Sequence, residues 1–122
     1  MGNSPLNILF VDDDTALNRI LERMLKESGF GVDLATDGPA ALQRLSDNHY
    51  DVAILDNCLP SMSGIDVLRE LRSKNTATKV IMITAVDEHE LANEGKQLGA
   101  NEVLAKPFEF ETLLDTIQRL RK

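Results

Sequence analysis

The sequence predicts an α/β fold in which helices cover both faces of a five-stranded parallel sheet. Five short apolar segments alternate with five segments of helical period, and the connections between them are short. Three of the apolar segments are unbroken, at residues 8–11, 52–55 and 80–83, as is typical of strands buried on both faces. These three strands are therefore expected at the centre of the sheet.

The first strand–helix unit begins with residues 8–11 and continues into three aspartates at positions 12–14. Apolar side chains then recur at helical spacing, and Gly29 is expected to end that helix. Either Asp14 or Thr15 is well placed to cap its N-terminus.

The second unit opens with residues 32–34, where apolar and polar side chains alternate as they do in an edge strand. Asp37 and Gly38 then turn the chain into a short helix. The third unit contains the strand at 52–55, and a loop through Pro60 and Gly64 delays its helix by several residues.

The fourth unit has a weaker helix, because Gly95 lies inside it and costs about 1 kcal/mol relative to alanine. Gly99 is expected to end this helix. A short strand at 103–105 follows and is closed by Lys106 and Pro107, before a regular apolar stripe marks the last helix.

Composition narrows the class of protein. The 122 residues suit one domain, and a net charge of -7 argues against direct nucleic-acid binding, because it repels phosphate backbones. A single cysteine and two histidines exclude an internal disulfide and disfavour a zinc site. No apolar run approaches the roughly 20 residues of a membrane span, and no signal segment is evident, so we expect a cytoplasmic protein.

Four of the predicted strands are followed by, or end in, polar residues of complementary types. These are Asp12 and Asp13 after the first strand, Asp56 after the third, Thr84 after the fourth and Lys106 after the fifth. The carboxyl ends of parallel strands share one rim, where open α/β sheets bind ligands. The rim is therefore expected to gather three carboxylates, a hydroxyl and an ammonium group.

Several of these residues also have an ordinary alternative, although Asp56 is harder to explain as a cap because Pro60 and Gly64 delay the next helix. Asp13 or Asp14 can serve as a helix cap, Thr84 as a strand end, and Lys106 as part of a turn. Packing does not require polar residues of these types at the ends of four strands, so their joint occurrence favours a functional site.

Clustered carboxylates at neutral pH either share a proton or hold a cation. With oxygen ligands alone, the cation is expected to be Mg²⁺ or Mn²⁺. A cation with one ammonium and one hydroxyl donor suits a phosphoryl group, and a carboxylate on the same rim can act as the nucleophile. The product would be an aspartyl phosphate on the protein itself.

These residues, in this order and spacing, resemble the receiver domain of two-component response regulators, including chemotaxis receivers. The resemblance covers residues 6–121, leaving residues 1–5 as a short N-terminal extension. The matching positions are Val11-Asp12-Asp13, Asp56, Pro60 with Gly64, Thr84-Ala85, Gly99-Ala100 and Lys106-Pro107-Phe108. The resemblance implies a flavodoxin-like, doubly wound sheet with strand order 2-1-3-4-5.

The resemblance also implies a role for each site residue. Asp56 would take a phosphoryl group from a histidine kinase or histidine phosphotransfer protein, and Thr84 and Lys106 would bind the phosphoryl oxygens. The Lys106–Pro107 peptide bond would be cis. The Mg²⁺ ligands would be Asp13 and Asp56 directly, Asp12 through water, and Cys58 through its backbone carbonyl.

The family pattern further implies a signalling protein that catalyses its own phosphorylation and dephosphorylation rather than turning over an external substrate. Thr84, Ala85 and Val103 would form the switch, acting on a face made by the fourth helix, fifth strand and fifth helix. Val103 replaces an aromatic residue that many receivers have at this position. Cys58 and Val86 occupy positions that tune dephosphorylation. The pattern leaves open a phosphorylation-dependent homodimer or an attached effector domain.

Ala16, Ile20 and Met24 lie one helical turn apart and allow two interpretations. In the first interpretation they widen the core face of the first helix. In the second, together with Arg23, they form the kinase docking surface that the resemblance implies.

Two other functions compete with a phosphorylated receiver. One is a haloacid-dehalogenase-type phosphatase with Asp12 as its nucleophile, which leaves Asp56 unexplained. The other is a receiver-like interaction module that is not phosphorylated, which the intact set of rim residues disfavours.

Overall fold

The computed structural model describes residues 5–74 and 76–121. Its strands are β1 (Asn7–Val11), β2 (Gly31–Ala35), β3 (Val52–Asp56), β4 (Lys79–Ala85) and β5 (Glu102–Lys106). Its helices are α1 (Thr15–Glu27), α2 (Gly38–Asp47), α3 (Gly64–Ser73), α4 (His89–Gln97) and α5 (Phe110–Leu120). Strand and helix alternate throughout, which confirms the predicted α/β class.

The strands form one parallel sheet in the order β2-β1-β3-β4-β5, as predicted. The three strands with unbroken apolar runs, β1, β3 and β4, each lie between two neighbours. Every residue of β3 is buried. The alternating segment forms β2 at one edge, and three of its five residues are only partly buried.

The sheet separates two apolar cores. Ile8, Phe10 and Ile54 face the core covered by α1 and α5, which contribute Leu21, Leu25, Leu113 and Ile117. Leu9, Val11 and Leu55 face the opposite core, which is covered by the helices of the middle of the chain and includes Ala41, Val67, Leu68 and Leu91. Alternation along each strand therefore serves two helical layers rather than one.

The helix boundaries follow from capping chemistry. Asp14 caps α1 by accepting a hydrogen bond from the Leu17 amide at 3.1 Å, and Asp37 caps α2 through the Ala40 amide at 2.7 Å. Gly99 has φ +107° where the chain leaves α4, a conformation that favours glycine.

Arg72 joins the end of α3 to the amino ends of β4 and β5. Its guanidinium donates to the carbonyls of Thr78 and Gly99, both at 2.9 Å, and to the Asn101 side chain at 3.1 Å. Burial lowers the pKa of this group from its ordinary value. These contacts fix the end of the sheet opposite the polar rim.

Across the described ranges, no helix combines the length and apolar character needed to cross a bilayer.

Candidate functional site

The polar strand ends meet at one rim of the sheet, as predicted. Asp12 follows β1, Asp56 ends β3, and Lys106 ends β5, while Thr84 is the second-last residue of β4. Strands β1, β3, β4 and β5 are consecutive neighbours in the sheet. Residues far apart in sequence are therefore brought together by the strand order alone.

The Lys106 ammonium bridges the two buried carboxylates of the rim. Its Nζ lies 2.7 Å from Asp56 Oδ2 and 2.9 Å from Asp12 Oδ2. The side chains of Asp12 and Asp56 are 1% and 8% exposed, while that of Lys106 is 37% exposed. The two carboxylates are thus shielded from water and face one partly solvated cation.

The two carboxylates differ in their pKa shifts. Burial raises the pKa of Asp56, the neighbouring Asp12 carboxylate raises it further, and the bonds from Lys106 and the Cys58 amide only partly offset this. Burial acts in the same sense on Asp12, but hydrogen bonds from the Asp14 amide and Lys106 outweigh it and lower its pKa. The pKa of Lys106 is raised, because bonds to both carboxylates outweigh its own burial.

The β1–α1 loop holds Asp12 by both its side chain and its backbone. Asp12 Oδ1 accepts the Asp14 amide at 2.9 Å, and the Asp12 carbonyl accepts Nδ2 of the buried Asn18 at 2.6 Å. Asp13, between Asp12 and the capping residue Asp14, is exposed. The sequence did not predict the bond made by Asn18, because a polar residue on the core face of a helix can bond to many different partners.

The β3–α3 loop orients Asp56. The Cys58 amide donates to Asp56 Oδ1 at 2.9 Å, while the Cys58 side chain is exposed with a free thiol. Gly64 approaches the strand end so closely that a Cβ atom there would lie 2.6 Å from the Asp56 carbonyl oxygen. A glycine is therefore required where α3 begins beside the carboxylate.

The predicted switch residues lie on β4 and β5. Thr84 is buried, and Ala85, which is exposed, is the register partner of Lys106. Val103 is half-buried and packs on the core beneath the middle helices. The Lys106–Pro107 peptide bond is cis.

Within the described residues, no three acidic, histidine or cysteine side chains are arranged to hold a metal ion. The Lys106 ammonium lies between Asp12 and Asp56 and neutralises part of the charge of the two carboxylates. The donors at the rim are nevertheless carboxylate oxygen atoms, with Asp13 following Asp12 in sequence, and this chemistry fits a hard divalent cation that retains several waters.

The α1 residues that could belong either to the core or to a kinase docking surface lie mostly at the protein surface. Ala16 is exposed and Ile20 is 57% exposed, whereas Met24 is half-buried. Arg23 is also exposed and lies 3.7 Å from Glu27. The core-widening interpretation is therefore wrong for Ala16 and Ile20, because Leu21 and Leu25 already fill that face.

Comparison with known proteins identifies the class to which this fold and rim belong. A family model described as the response regulator receiver domain matches residues 8–118. The chain belongs to the response regulator receiver family, and the resemblance found in its motifs is confirmed.

Individual relatives agree with this family. The chain is 38% identical over 116 residues to the response regulator MprA of Mycobacterium sp. (strain KMS), covering 95% of this chain and 50% of MprA. It is 39% identical over 108 residues to the two-component response regulator PhoP of Pseudomonas aeruginosa, covering 88% of this chain and 48% of PhoP. The chain thus spans about half the length of the curated relatives it matches.

Solved structures cover the whole fold. The chemotaxis response regulator CheY4 of Vibrio cholerae superposes with a TM-score of 0.87 at 35% identity, covering 95% of this chain and 98% of CheY4. The receiver domain of the Francisella response regulator 1452 gives a TM-score of 0.89 at 33% identity, covering 94% and 95% of the two chains. The predicted flavodoxin-like fold is confirmed, and membership of this family leaves the phosphatase alternative without support.

Proposed function

We propose that this domain, comprising residues 6–121, accepts a phosphoryl group on Asp56 from a phosphohistidine of a histidine kinase or a histidine phosphotransfer protein. The observation that carries the proposal is the buried Asp56 carboxylate, held at the end of β3 with Lys106 Nζ at 2.7 Å. Desolvation and a nearby carboxylate raise its pKa, and both make a carboxylate more reactive towards an electrophilic phosphorus.

In the transfer step, an oxygen of the Asp56 carboxylate forms a bond to phosphorus while the bond from phosphorus to the histidine nitrogen breaks. That nitrogen keeps the electron pair, and the phosphoryl group becomes an acyl phosphate on Asp56. Lys106 is close enough to exchange its bond to Asp56 for a bond to a phosphoryl oxygen. Thr84, buried at the end of β4, supplies a hydroxyl donor on the same rim.

Receiver domains of this family typically bind Mg²⁺, and the oxygen donors of this rim fit that ion. Asp13 and Asp56 would hold it directly, Asp12 through water, and Cys58 through its backbone carbonyl, with Mn²⁺ as an alternative ion. When bound, the ion neutralises negative charge that develops on the phosphoryl oxygens.

The output of the domain is proposed to run through Thr84 and Ala85 to the face formed by α4, β5 and α5. Val103 lies on this route and has no ring to rotate, so movement of the β4 end would be transmitted by the backbone. The curated relatives are about twice as long as this chain, which supports an effector domain as the recipient of the signal. A homodimer formed on phosphorylation is the alternative recipient.

We also expect the domain to catalyse its own dephosphorylation, at a rate that is not unusually high. The two tuning positions hold Cys58 and Val86, and Val86 is an exposed apolar side chain. Neither side chain offers a carboxylate or amide that would orient an attacking water. Substituting Val86 with a polar residue should therefore change the phosphoryl lifetime, and an unchanged lifetime would count against this explanation.

Labelling with a small phosphodonor tests the proposed function. The domain is incubated with Mg²⁺ and acetyl phosphate, and the mass and position of the added group are read by mass spectrometry for the wild type and Asp56→Asn. One phosphoryl group on Asp56 is expected in the wild type and none in the variant. Asp66→Asn, on the exposed side of α3, is the matched control and should be labelled normally.

Two results would contradict the proposal. Labelling that survives Asp56→Asn, or that appears on Asp12, would show that the nucleophile is another residue. A wild type that stays unlabelled at saturating Mg²⁺ and phosphodonor would favour the interaction module that is not phosphorylated.

A further inference from the structure

The turn between β4 and α4 is held by the side chain of Glu88. The Ala85 amide donates to Glu88 Oε1 at 2.7 Å, and the Glu88 amide donates back to the Ala85 carbonyl at 3.1 Å. A short bond between a carboxylate and an amide is among the stronger hydrogen bonds of a protein surface. The last amide of β4 is therefore bonded to an anion contributed by the chain itself.

This amide faces the region where the phosphoryl group would sit. The Asn57 amide donates to the Ile83 carbonyl at 2.9 Å, so the backbone groups of Ile83 are directed towards β3. Residues two apart in a strand direct their backbone groups to the same side. The Ala85 amide consequently points to the β3 side, two residues beyond Ile83, which is level with Asp56 at the end of β3.

A phosphoryl group on Asp56 would need hydrogen-bond donors at this rim. Its three oxygens carry close to two negative charges, and the rim already holds the carboxylates of Asp12 and Asp13. The neighbouring donors are the Lys106 ammonium, the Thr84 hydroxyl and the amides of Cys58 and Ala85. Among these four donors, the Ala85 amide differs because its present acceptor, Glu88, is not one of the predicted ligands of the metal ion or the phosphoryl group.

We propose that the Glu88 carboxylate is an internal competitor for the phosphoryl group, occupying the Ala85 amide until phosphorylation displaces it. This inference rests on the proposed function of Asp56 and names a residue that regulates it. While Glu88 is bonded, the turn stays in the arrangement described here and its negative charge opposes a second anion at the rim. Once the phosphoryl oxygen takes the amide, Glu88 is released and the start of α4 is free to move.

A purely structural role would be that of a local helix cap, and the chain offers a comparison. At the start of α3 the Ser63 amide donates to Asp66 Oδ2 at 3.4 Å, which is the same kind of contact three residues apart. There the Ser63 hydroxyl also bonds the Asp66 amide, and the pair forms a complete capping box. No such side-chain bond caps α4, so the Glu88 contact fixes the strand end more than the helix.

Binding of beryllofluoride, a mimic of the phosphoryl group, tests the inference. Affinity is measured calorimetrically with Mg²⁺ for the wild type, Glu88→Gln and Glu88→Ala, together with initial rates of labelling by acetyl phosphate. Both variants are expected to bind beryllofluoride about threefold or more tightly and to label faster, since one bond to a charged group no longer has to be broken. The urea midpoint of the free protein should not rise in either variant.

Two matched controls separate this effect from simpler ones. Glu90→Gln removes one negative charge from the adjoining first turn of α4, and Asp66→Asn removes the charge from the corresponding contact at α3. Both controls should bind beryllofluoride with the wild-type affinity. A tighter complex formed by a free protein that is no more stable than the wild type is a result that loss of a helix cap does not produce.

The outcomes are distinguishable. If the wild type binds beryllofluoride and the Glu88 variants bind it equally or more weakly, the competitor role is wrong and the proposed function stands. If Glu90→Gln tightens binding as much as Glu88→Gln, net charge explains the effect and the inference fails. A wild type that neither binds beryllofluoride nor is labelled would overturn the proposed function itself, and this inference with it.

Discussion

Tyr50 shows how one side chain can report on the fold. It is the single tyrosine of the chain and is buried before β3, where its hydroxyl donates to Asp33 Oδ2 at 2.6 Å. Burial and this bond raise the pKa of Tyr50 to about 12. The phenol is therefore held in its neutral form well above the pH at which a solvated tyrosine ionises.

A titration of ultraviolet absorbance at 295 nm will report this group alone, because the chain contains no other tyrosine. Since the folded-state pKa is raised, the phenol stabilises the fold fully below pH of about 10 and loses that contribution as the pH rises to about 12. We expect Tyr50→Phe to be less stable than the wild type by about 1 kcal/mol at pH 8 in urea unfolding.

The stability gap between Tyr50→Phe and the wild type should narrow at higher pH, because only the wild type loses the phenol contribution. A gap that stays constant up to pH 11, or an absorbance midpoint near pH 10, would show that Tyr50 is not bonded in this way.

Lys106 is expected to contribute to stability as well as to chemistry. Lys106→Met leaves Asp12 and Asp56 buried beside each other without their shared cation. Breaking a fully buried ion pair costs about 3–5 kcal/mol, and partial exposure of the lysine reduces the expected loss here to about 1–2 kcal/mol. Urea unfolding without divalent ions measures this loss.

Lys79→Met, at the exposed opposite end of β4, is the control for the Lys106 substitution and should change stability by less than about 0.5 kcal/mol. Equal effects of the two substitutions would show that the ion pairs make no net contribution.

The rim residues were predictable because sheet topology determines where strand ends lie. Asp56, Thr84 and Lys106 needed only the strand order to come together. The bonds made by Glu88 and Asn18 were not predictable, since each depends on the direction of one side chain within a turn or helix. No periodicity or motif encodes those directions.

At the scale of single elements, α4 is the helix with the fewest local supports. It has no side-chain N-cap, and Gly95 lies within it at a buried position. A Cβ atom built at Gly95 would lie 3.7 Å from both Ile65 Cδ1 and Met82 Cγ, which is ordinary van der Waals contact. The glycine is therefore not required by close packing, unlike Gly64.

Gly95→Ala should raise the free energy of unfolding by about 1 kcal/mol, because alanine is the stronger helix former and its methyl group fits. Slower hydrogen exchange of the α4 amides should accompany the gain. Gly99→Ala should have the opposite effect by at least about 1 kcal/mol, because φ is +107° there and Arg72 Nε would lie 2.9 Å from the new Cβ. A loss of stability in Gly95→Ala would mean that α4 requires the glycine for its own geometry.

Arg72 illustrates what the sequence left out at this scale. It lies in the last turn of α3, where any basic residue interacts favourably with the helix dipole. The structure shows that it also binds residues 27 and 29 positions later in the chain. Such distant carbonyl partners are set by how α3 lies against the loop before β5, which no local pattern describes.

For the molecule as a whole, the two helical layers give the domain two different surfaces. Helices α1 and α5 share one side of the sheet, and Ile20 is a large apolar side chain exposed on α1. A groove of about 430 Å³ between α1 and the segment after β5 lies on the same side and is lined by Leu17, Leu21, Phe108 and Phe110. We expect this surface, with Ala16, Ile20, Arg23 and Met24, to receive the phosphodonor protein.

Ile20→Asp should slow phosphotransfer from a histidine kinase about tenfold or more, because it places a charge at the centre of an apolar contact. The rate of labelling by acetyl phosphate should not change, since the rim is untouched. Gln43→Asp, on the exposed face of α2 across the sheet, is the control and should leave both rates unchanged. Slowing of both reactions by Ile20→Asp would point to a disturbed fold instead of a docking surface.

The ion pairs of Lys106 also bear on when, during synthesis of the chain, the rim becomes able to accept a phosphoryl group. The partners of this lysine lie 94 and 50 positions earlier, at the carboxyl ends of strands that are synthesised well before β5. A nascent polypeptide in which β5 has not yet paired holds the acidic residues of the rim without their counter-charge. Readiness for phosphotransfer would then report completed assembly of the sheet, so that a ribosome-bound or misfolded intermediate stays silent to the signalling pathway.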